Sequence, residues 1–115
     1  MYKFSYAEIL EDDVREARAR EQAALDRAIE LMTVAQERGS QSPEATEAVG
    51  YVQTLWGYLI KDLVDPGNEL AENLKADLIS IGLWAIKEAD RVVNDPTKNF
   101  LALIEVNQTI RNGLK

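Results

Sequence analysis

Apolar residues recur every three or four positions in four segments of this chain, and turn-forming residues separate these segments. Such a repeat places the apolar side chains on one face of an α-helix. We therefore predict an all-α fold, an antiparallel four-helix bundle with a long N-terminal helix. The predicted helices cover about 6–38, 43–64, 70–94 and 98–112. The breaks between them are Gly39–Ser42, Asp65–Asn68 and Asp95–Thr97.

Capping residues support these boundaries. Ser42 is a suitable N-cap for the second helix, Pro43 suits its first position, and Gly39 suits the position after the first helix. The predicted inward positions are apolar throughout. They are Leu10, Val14, Ala17, Ala24, Leu25, Ala28, Ile29, Leu31, Met32 and Ala35; Ala45, Val49, Val52, Trp56, Leu59 and Leu63; Leu74, Leu78, Ile81, Ala85, Ala89 and Val92; and Phe100, Leu103, Ile104 and Ile110. We also expect the opening residues 2–6 to pack on the bundle.

The predicted helices differ greatly in length. At about 1.5 Å per residue, the first helix should overhang the core, bend, or meet another chain. We expect its charged, Ala-rich first half to overhang, and the second, third and fourth helices to form the compact part. Gly50 and Gly57 lie on one side of the second helix, where their small size could admit a close neighbour.

Composition excludes several function classes. The chain has 115 residues, which predicts a single domain over 1–115, and it contains neither His nor Cys. It therefore lacks the commonest general base, metal ligand and nucleophile, so we expect no enzyme, no cofactor and no metal site. The net charge is −7 without a concentrated basic segment, which disfavours direct nucleic-acid binding. The longest uncharged run, 48–60, is too short to cross a bilayer, and a cytoplasmic location is expected.

The second predicted helix is apolar on more than half of its circumference. Apolar surface left uncovered by a small bundle is typical of a partner site, and a helix lying in a groove is a common mode of recognition. The candidate partner-binding residues are Tyr51, Leu55, Trp56, Leu59 and Leu63. Each could equally be core, and the same alternative is open for Trp84.

Several landmarks follow one another along the chain: Leu55-Trp56, Asp62-Leu63, Pro66, Asn68, Leu70, the run Leu78-Ile79-Ser80-Ile81-Gly82-Leu83-Trp84, Leu103-Ile104-Glu105-Val106-Asn107, and Gly113-Leu114. Their order and spacing together resemble those of the FlaF family of small flagellar biosynthesis proteins of alphaproteobacteria. The resemblance covers essentially the whole chain. One departure is Ala71, where members of the family often have proline, and it blurs the start of the third helix.

This resemblance implies a cytoplasmic regulator of flagellar biosynthesis that promotes flagellin synthesis and export. On this interpretation the protein is a flagellin-binding secretion chaperone without enzymatic activity or cofactor, and flagellin is its partner. One alternative is a regulatory adaptor that binds another flagellar protein, such as the FlbT-type translational repressor. A second alternative is direct binding of flagellin mRNA. No membrane partner is expected, and a homodimer through the first helix stays open.

Overall fold

The computed structural model describes the backbone of residues 6–114 and the side chains of residues 15–114. Over this part of the chain the helices are α1 (Tyr6–Arg38), α2 (Pro43–Leu63), α3 (Glu72–Asn94) and α4 (Leu101–Gly113). The predicted all-α bundle is confirmed. The predicted starts of the third and fourth helices, at 70 and 98, are slightly too early.

The helix ends follow from local hydrogen bonds. Ser42 Oγ accepts from the backbone N–H of Ala45 at 3.1 Å, so Ser42 is the N-cap of α2 as predicted. Gly39 has φ +105°, a left-handed conformation that favours glycine after a helix. Side-chain oxygens of Asn68 and Asn99 accept from backbone N–H groups two residues later. These turns delay the starts of α3 and α4.

The helices pack unevenly. α2 lies between α1 and α3, while α4 packs mainly on α1 and only lightly on α3. The expectation that the second, third and fourth helices form the compact part is therefore wrong, because the C-terminal half of α1 supplies a share of the core. The buried apolar residues are Leu25, Ala28, Met32, Ala35, Ala45, Ala48, Val49, Val52, Trp56, Leu63, Ala85, Ala89, Val92, Phe100 and Leu103.

The first helix extends beyond this core. Its first buried side chain in the described range is Leu25, and residues 15–24 are exposed or half-buried. The protein is 59 Å long in its largest dimension and 30 Å in the next, as expected when a 33-residue helix exceeds its neighbours. Leu10, Val14 and the predicted anchor at 2–6 lie outside the described side chains.

The close approach of two helices occurs at a glycine other than the two predicted. A Cβ added to Gly50 or Gly57 would have no heavy atom of another group within 4 Å, so that expectation is wrong. At Gly82 a Cβ would lie 2.7 Å from Trp56 Cε3 and 3.0 Å from Ile60 Cδ1. The lack of a side chain at Gly82 therefore lets Trp56 and Ile60 of α2 approach the backbone of α3 closely.

Candidate functional site

An apolar groove of about 450 Å³ lies at one end of the bundle. Its walls come from the first half of α1, the end of α2, the start of α3 and the last turn of α4. The lining residues are Arg18, Glu21, Leu25, Trp56, Leu59, Asp62, Leu63, Asn68, Leu70, Leu74, Leu78, Thr109, Ile110, Gly113 and Leu114. Most of them are leucine or another apolar residue, so the groove is suited to apolar side chains.

The groove is open because α4 is short. α4 has 13 residues, whereas α3 has 23. Two contacts hold the end of α4 against α1: Gln22 Nε2 donates to the Leu114 carbonyl at 2.6 Å, and Arg111 Nε donates to Asp26 Oδ1 at 2.7 Å. Residues of α1 before Gln22 therefore lie beyond the end of α4, and the groove continues along the line of that helix.

One leucine just before α3 and one in its first turn show how much apolar surface is left uncovered. Leu70 is 41% exposed and Leu74 is 45% exposed, and both line the groove. Leu78 follows one turn later and is half-buried. Leu74 was predicted to point into the core, and that prediction is wrong because α4 does not reach far enough to cover it.

The floor of the groove is held by a buried polar network. The Trp56 indole Nε1–H donates to Asn107 Oδ1 at 3.0 Å, and Asn107 Nδ2 donates to the Leu103 carbonyl at 2.8 Å. Trp56 is 1% exposed and Asn107 is fully buried. Since both polar groups are satisfied inside the core, the network fixes the Trp56 ring between α2 and α4.

Two carboxylates face the groove from different helices. Glu21 lies on α1 and Asp62 lies near the end of α2, where Asn68 Nδ2 donates to Asp62 Oδ2 at 3.3 Å. Burial is the main cause of a raised pKa at Glu21, and the negative charge of Asp62 raises this pKa further. The cations Arg18 and Arg20 act in the opposite direction. The groove lining thus holds two carboxylates, those of Glu21 and Asp62, and the guanidinium of Arg18.

The predicted partner-binding residues divide into two groups. Trp56, Leu59 and Leu63 line the groove, with Trp56 and Leu63 largely buried in its floor and Leu59 half-buried. Tyr51 and Leu55 are half-buried against the core, away from the groove. Trp84 is also half-buried, in a shallow recess with Ser80, Ile81 and Val106.

Sequence reasoning missed the groove residues outside α2 and the acidic residue at the end of α2. The apolar lining residues that it missed are Leu25, Leu70, Leu74, Leu78, Ile110 and Leu114, and the acidic ones are Glu21 of α1 and Asp62 of α2. The signal that could have found them was the predicted length of the fourth helix, since a short final helix must leave the ends of longer neighbours uncovered.

The described residues thus define an all-α bundle with one helix too short to cover its neighbours and an apolar groove at the open end. Within them, no helix is both long enough and apolar enough to span a bilayer. The family model for the flagellar protein FlaF matches residues 2–114, so the chain belongs to the FlaF family of flagellar proteins. No curated protein and no solved structure gives a significant match.

Proposed function

We propose that this protein is a cytoplasmic flagellin-binding secretion chaperone, and that its groove holds an amphipathic helix of flagellin. It acts without catalysis or cofactor, and it promotes flagellin synthesis and export by keeping flagellin soluble until it is exported. The observation that carries the proposal is the apolar groove at the end of α4 in a member of a flagellar protein family.

The dimensions and chemistry of the groove support a helical ligand. Leu70 and Leu74 are each more than two fifths exposed beside the half-buried Leu59, which makes a continuous apolar strip rather than scattered single residues. An amphipathic helix would present apolar residues at i, i+3, i+4 and i+7 to such a strip. The bound helix would extend the line of α4 and complete the open end of the bundle.

Two leucines on α3 provide a matched test. Leu74 lies in the groove and is 45% exposed, whereas Leu83 lies outside it and is 48% exposed. We expect Leu74→Ser to weaken flagellin binding about tenfold, since it removes roughly 1.4 kcal/mol of apolar contact. Leu83→Ser should leave the affinity unchanged, and both variants should unfold near the wild-type temperature. Calorimetric titration with purified flagellin measures the affinity.

Flagellin lacking its C-terminal helical segment should be compared with the full-length protein in the same titration. Loss of binding would identify that segment as the ligand, and retained binding would direct the search to the N-terminal one. Absence of binding by full-length flagellin at micromolar concentration would overturn the proposal.

The two alternative functions, a regulatory adaptor and an mRNA-binding protein, predict different experimental results. A regulatory adaptor would bind the purified FlbT-type repressor and leave flagellin in solution, which a pull-down with both proteins distinguishes. Direct action on flagellin mRNA would give a salt-dependent mobility shift with the flagellin leader. The carboxylates in the groove and the net charge of −7 disfavour direct binding of mRNA.

A further inference from the structure

Charged side chains line the groove beside the apolar ones. Glu21 and Asp62 line it from α1 and α2, and neither forms a salt bridge with another side chain among residues 15–114. Asp62 accepts a hydrogen bond from the uncharged Asn68, which does not neutralise its charge. Burial and the charge of Asp62 raise the pKa of Glu21, although Arg18 and Arg20 act in the opposite direction.

The helix ends around the groove are each offset by a charged residue of their own helix. α2 and α4 end there, and Lys61 and Arg111 in their last turns offset the partial negative charge of the two C-terminal ends. α3 begins nearby, and Glu72 in its first turn offsets its partial positive charge. The charge balance of the groove is therefore set by its lining side chains. Arg18 is the cation among the lining residues, against two carboxylates. A cation brought by a ligand would therefore be stabilised in the groove.

We propose that the helix bound in this groove carries a lysine or arginine at the border of its apolar stripe, and that Glu21 and Asp62 receive this cation. This inference rests on the groove being the docking site named above. It specifies the ligand as a basic amphipathic helix, and it makes the two carboxylates specificity-determining residues. Their role is to fix the register and direction of the helix, whereas the leucines supply most of the apolar contact.

Three designed helical peptides test the charge preference without flagellin. They share one apolar stripe with leucines at i, i+3, i+4 and i+7, and differ at a single border position, which is Lys, Gln or Glu. At low salt the Lys peptide should bind about fivefold more tightly than the Gln peptide, the size expected for one partly exposed ion pair. The Glu peptide should bind more weakly than both. The differences should shrink at high salt, and fluorescence anisotropy measures all the affinities.

Matched protein variants show which residues cause the preference for the Lys peptide. Glu21→Gln and Asp62→Asn should each reduce the advantage of the Lys peptide. Glu47→Gln makes the same change in net charge on the exposed surface near the start of α2, outside the groove, and should preserve that advantage. Equal affinities of the three peptides for the wild-type protein, or binding by none of them, would overturn the inference.

The same variants separate this inference from the proposed function. If flagellin binds in a Leu74-dependent manner but Glu21→Gln and Asp62→Asn leave its affinity unchanged, the charge preference is wrong and the chaperone proposal stands. If the peptides discriminate as expected while flagellin does not bind, the charge preference stands and the chaperone proposal fails. A dimer in light scattering that Leu74→Ser dissociates would show a second copy in the groove and overturn both.

Discussion

The two ends of this bundle both contain apolar side chains but are packed to different degrees. At the closed end, where α3 turns into α4, Phe100 is 1% exposed and its backbone N–H donates to Gln36 Oε1 at 2.8 Å. Glu88 is buried there and accepts from Lys98 Nζ at 2.8 Å. At the groove end, Leu70 and Leu74 remain more than two fifths exposed.

This difference comes from coverage rather than from composition. Each helix has an apolar face, but α4 covers the others from Phe100 only as far as Gly113. The closed end thus supplies stability, because Phe100 is buried there and Glu88 is both buried and hydrogen-bonded, although Leu101 on its outer face is exposed. The groove end keeps apolar surface available, so substitutions there should affect binding more than folding.

The largest expected change in the free energy of unfolding follows substitution of Trp56, which lies between the closed end and the groove. Trp56→Ala should lower the free energy of unfolding by about 3–5 kcal/mol, because it empties a buried site and leaves Asn107 without its donor. Tyr58→Ala, two residues later on the same helix at 69% exposure, should change it by less than about 0.5 kcal/mol. Urea denaturation measures both. A Trp56→Ala variant as stable as the wild type would contradict the core role of this tryptophan.

Substitutions at two glycines should change the free energy of unfolding in opposite directions. Gly82→Ala should destabilise by about 1–3 kcal/mol, because the new methyl group would overlap Trp56 and Ile60. Gly57→Ala adds a methyl group in open space and should stabilise by up to about 1 kcal/mol. Thermal unfolding of the two variants provides the comparison. Equal stabilisation in both would show that the helices are not in close contact at Gly82.

The closed end should be sensitive to acid through Glu88. The hydrogen bond from Lys98 is the largest cause of the lowered pKa of Glu88, and Arg91 adds to it. Because the folded-state pKa lies below the ordinary value, this contribution to stability is complete above that value. It is lost as the pH falls through the folded-state pKa.

Glu88→Gln should therefore cost about 1–2 kcal/mol at neutral pH and flatten the decline in stability at acid pH. The control is Glu72→Gln on the same helix. The side chain of Glu72 is 94% exposed and pairs with Lys75 at 3.6 Å, so this variant should keep the acid dependence. Denaturation curves between neutral and acid pH measure the effect, and an unchanged acid decline in Glu88→Gln would contradict it.

The smallest expected effect is a difference between segments in the free energy of local unfolding. Backbone amides of residues 15–24 in α1 and of the first turns of α3 lie in segments without buried side chains. They should exchange with solvent at least about tenfold faster than amides around Val52 and Ala85. Hydrogen exchange measured by mass spectrometry tests this. Uniform protection along α1 would show that its first half is as stable as the core.

The sequence was sufficient to predict the helices and the all-α class of the fold. The apolar repeat located all the helices of the described range, and Gly39, Ser42 and Pro43 correctly marked the end of α1 and the start of α2. These signals are local, since capping and helical periodicity depend on residues a few positions apart. The landmark residues from Leu55 to Leu114 also identified the family, which the match over residues 2–114 confirms.

The candidate site was predictable only in part. Leu59 and Leu63 were named from the apolar face of α2, and both line the groove. Leu74 was assigned to the core and Glu21 was not considered. A helical repeat shows which residues share a face, but it does not show whether another helix covers that face.

The sequence by itself determined which segments are helical, where they end, and the flagellar family to which the chain belongs. The tertiary structure decided that α4 packs mainly on α1, that α2 and α3 approach at Gly82, and that the groove opens beyond Gly113. The physical reason is that helix formation depends on local spacing, whereas coverage of an apolar face depends on the relative lengths and offsets of helices distant in sequence.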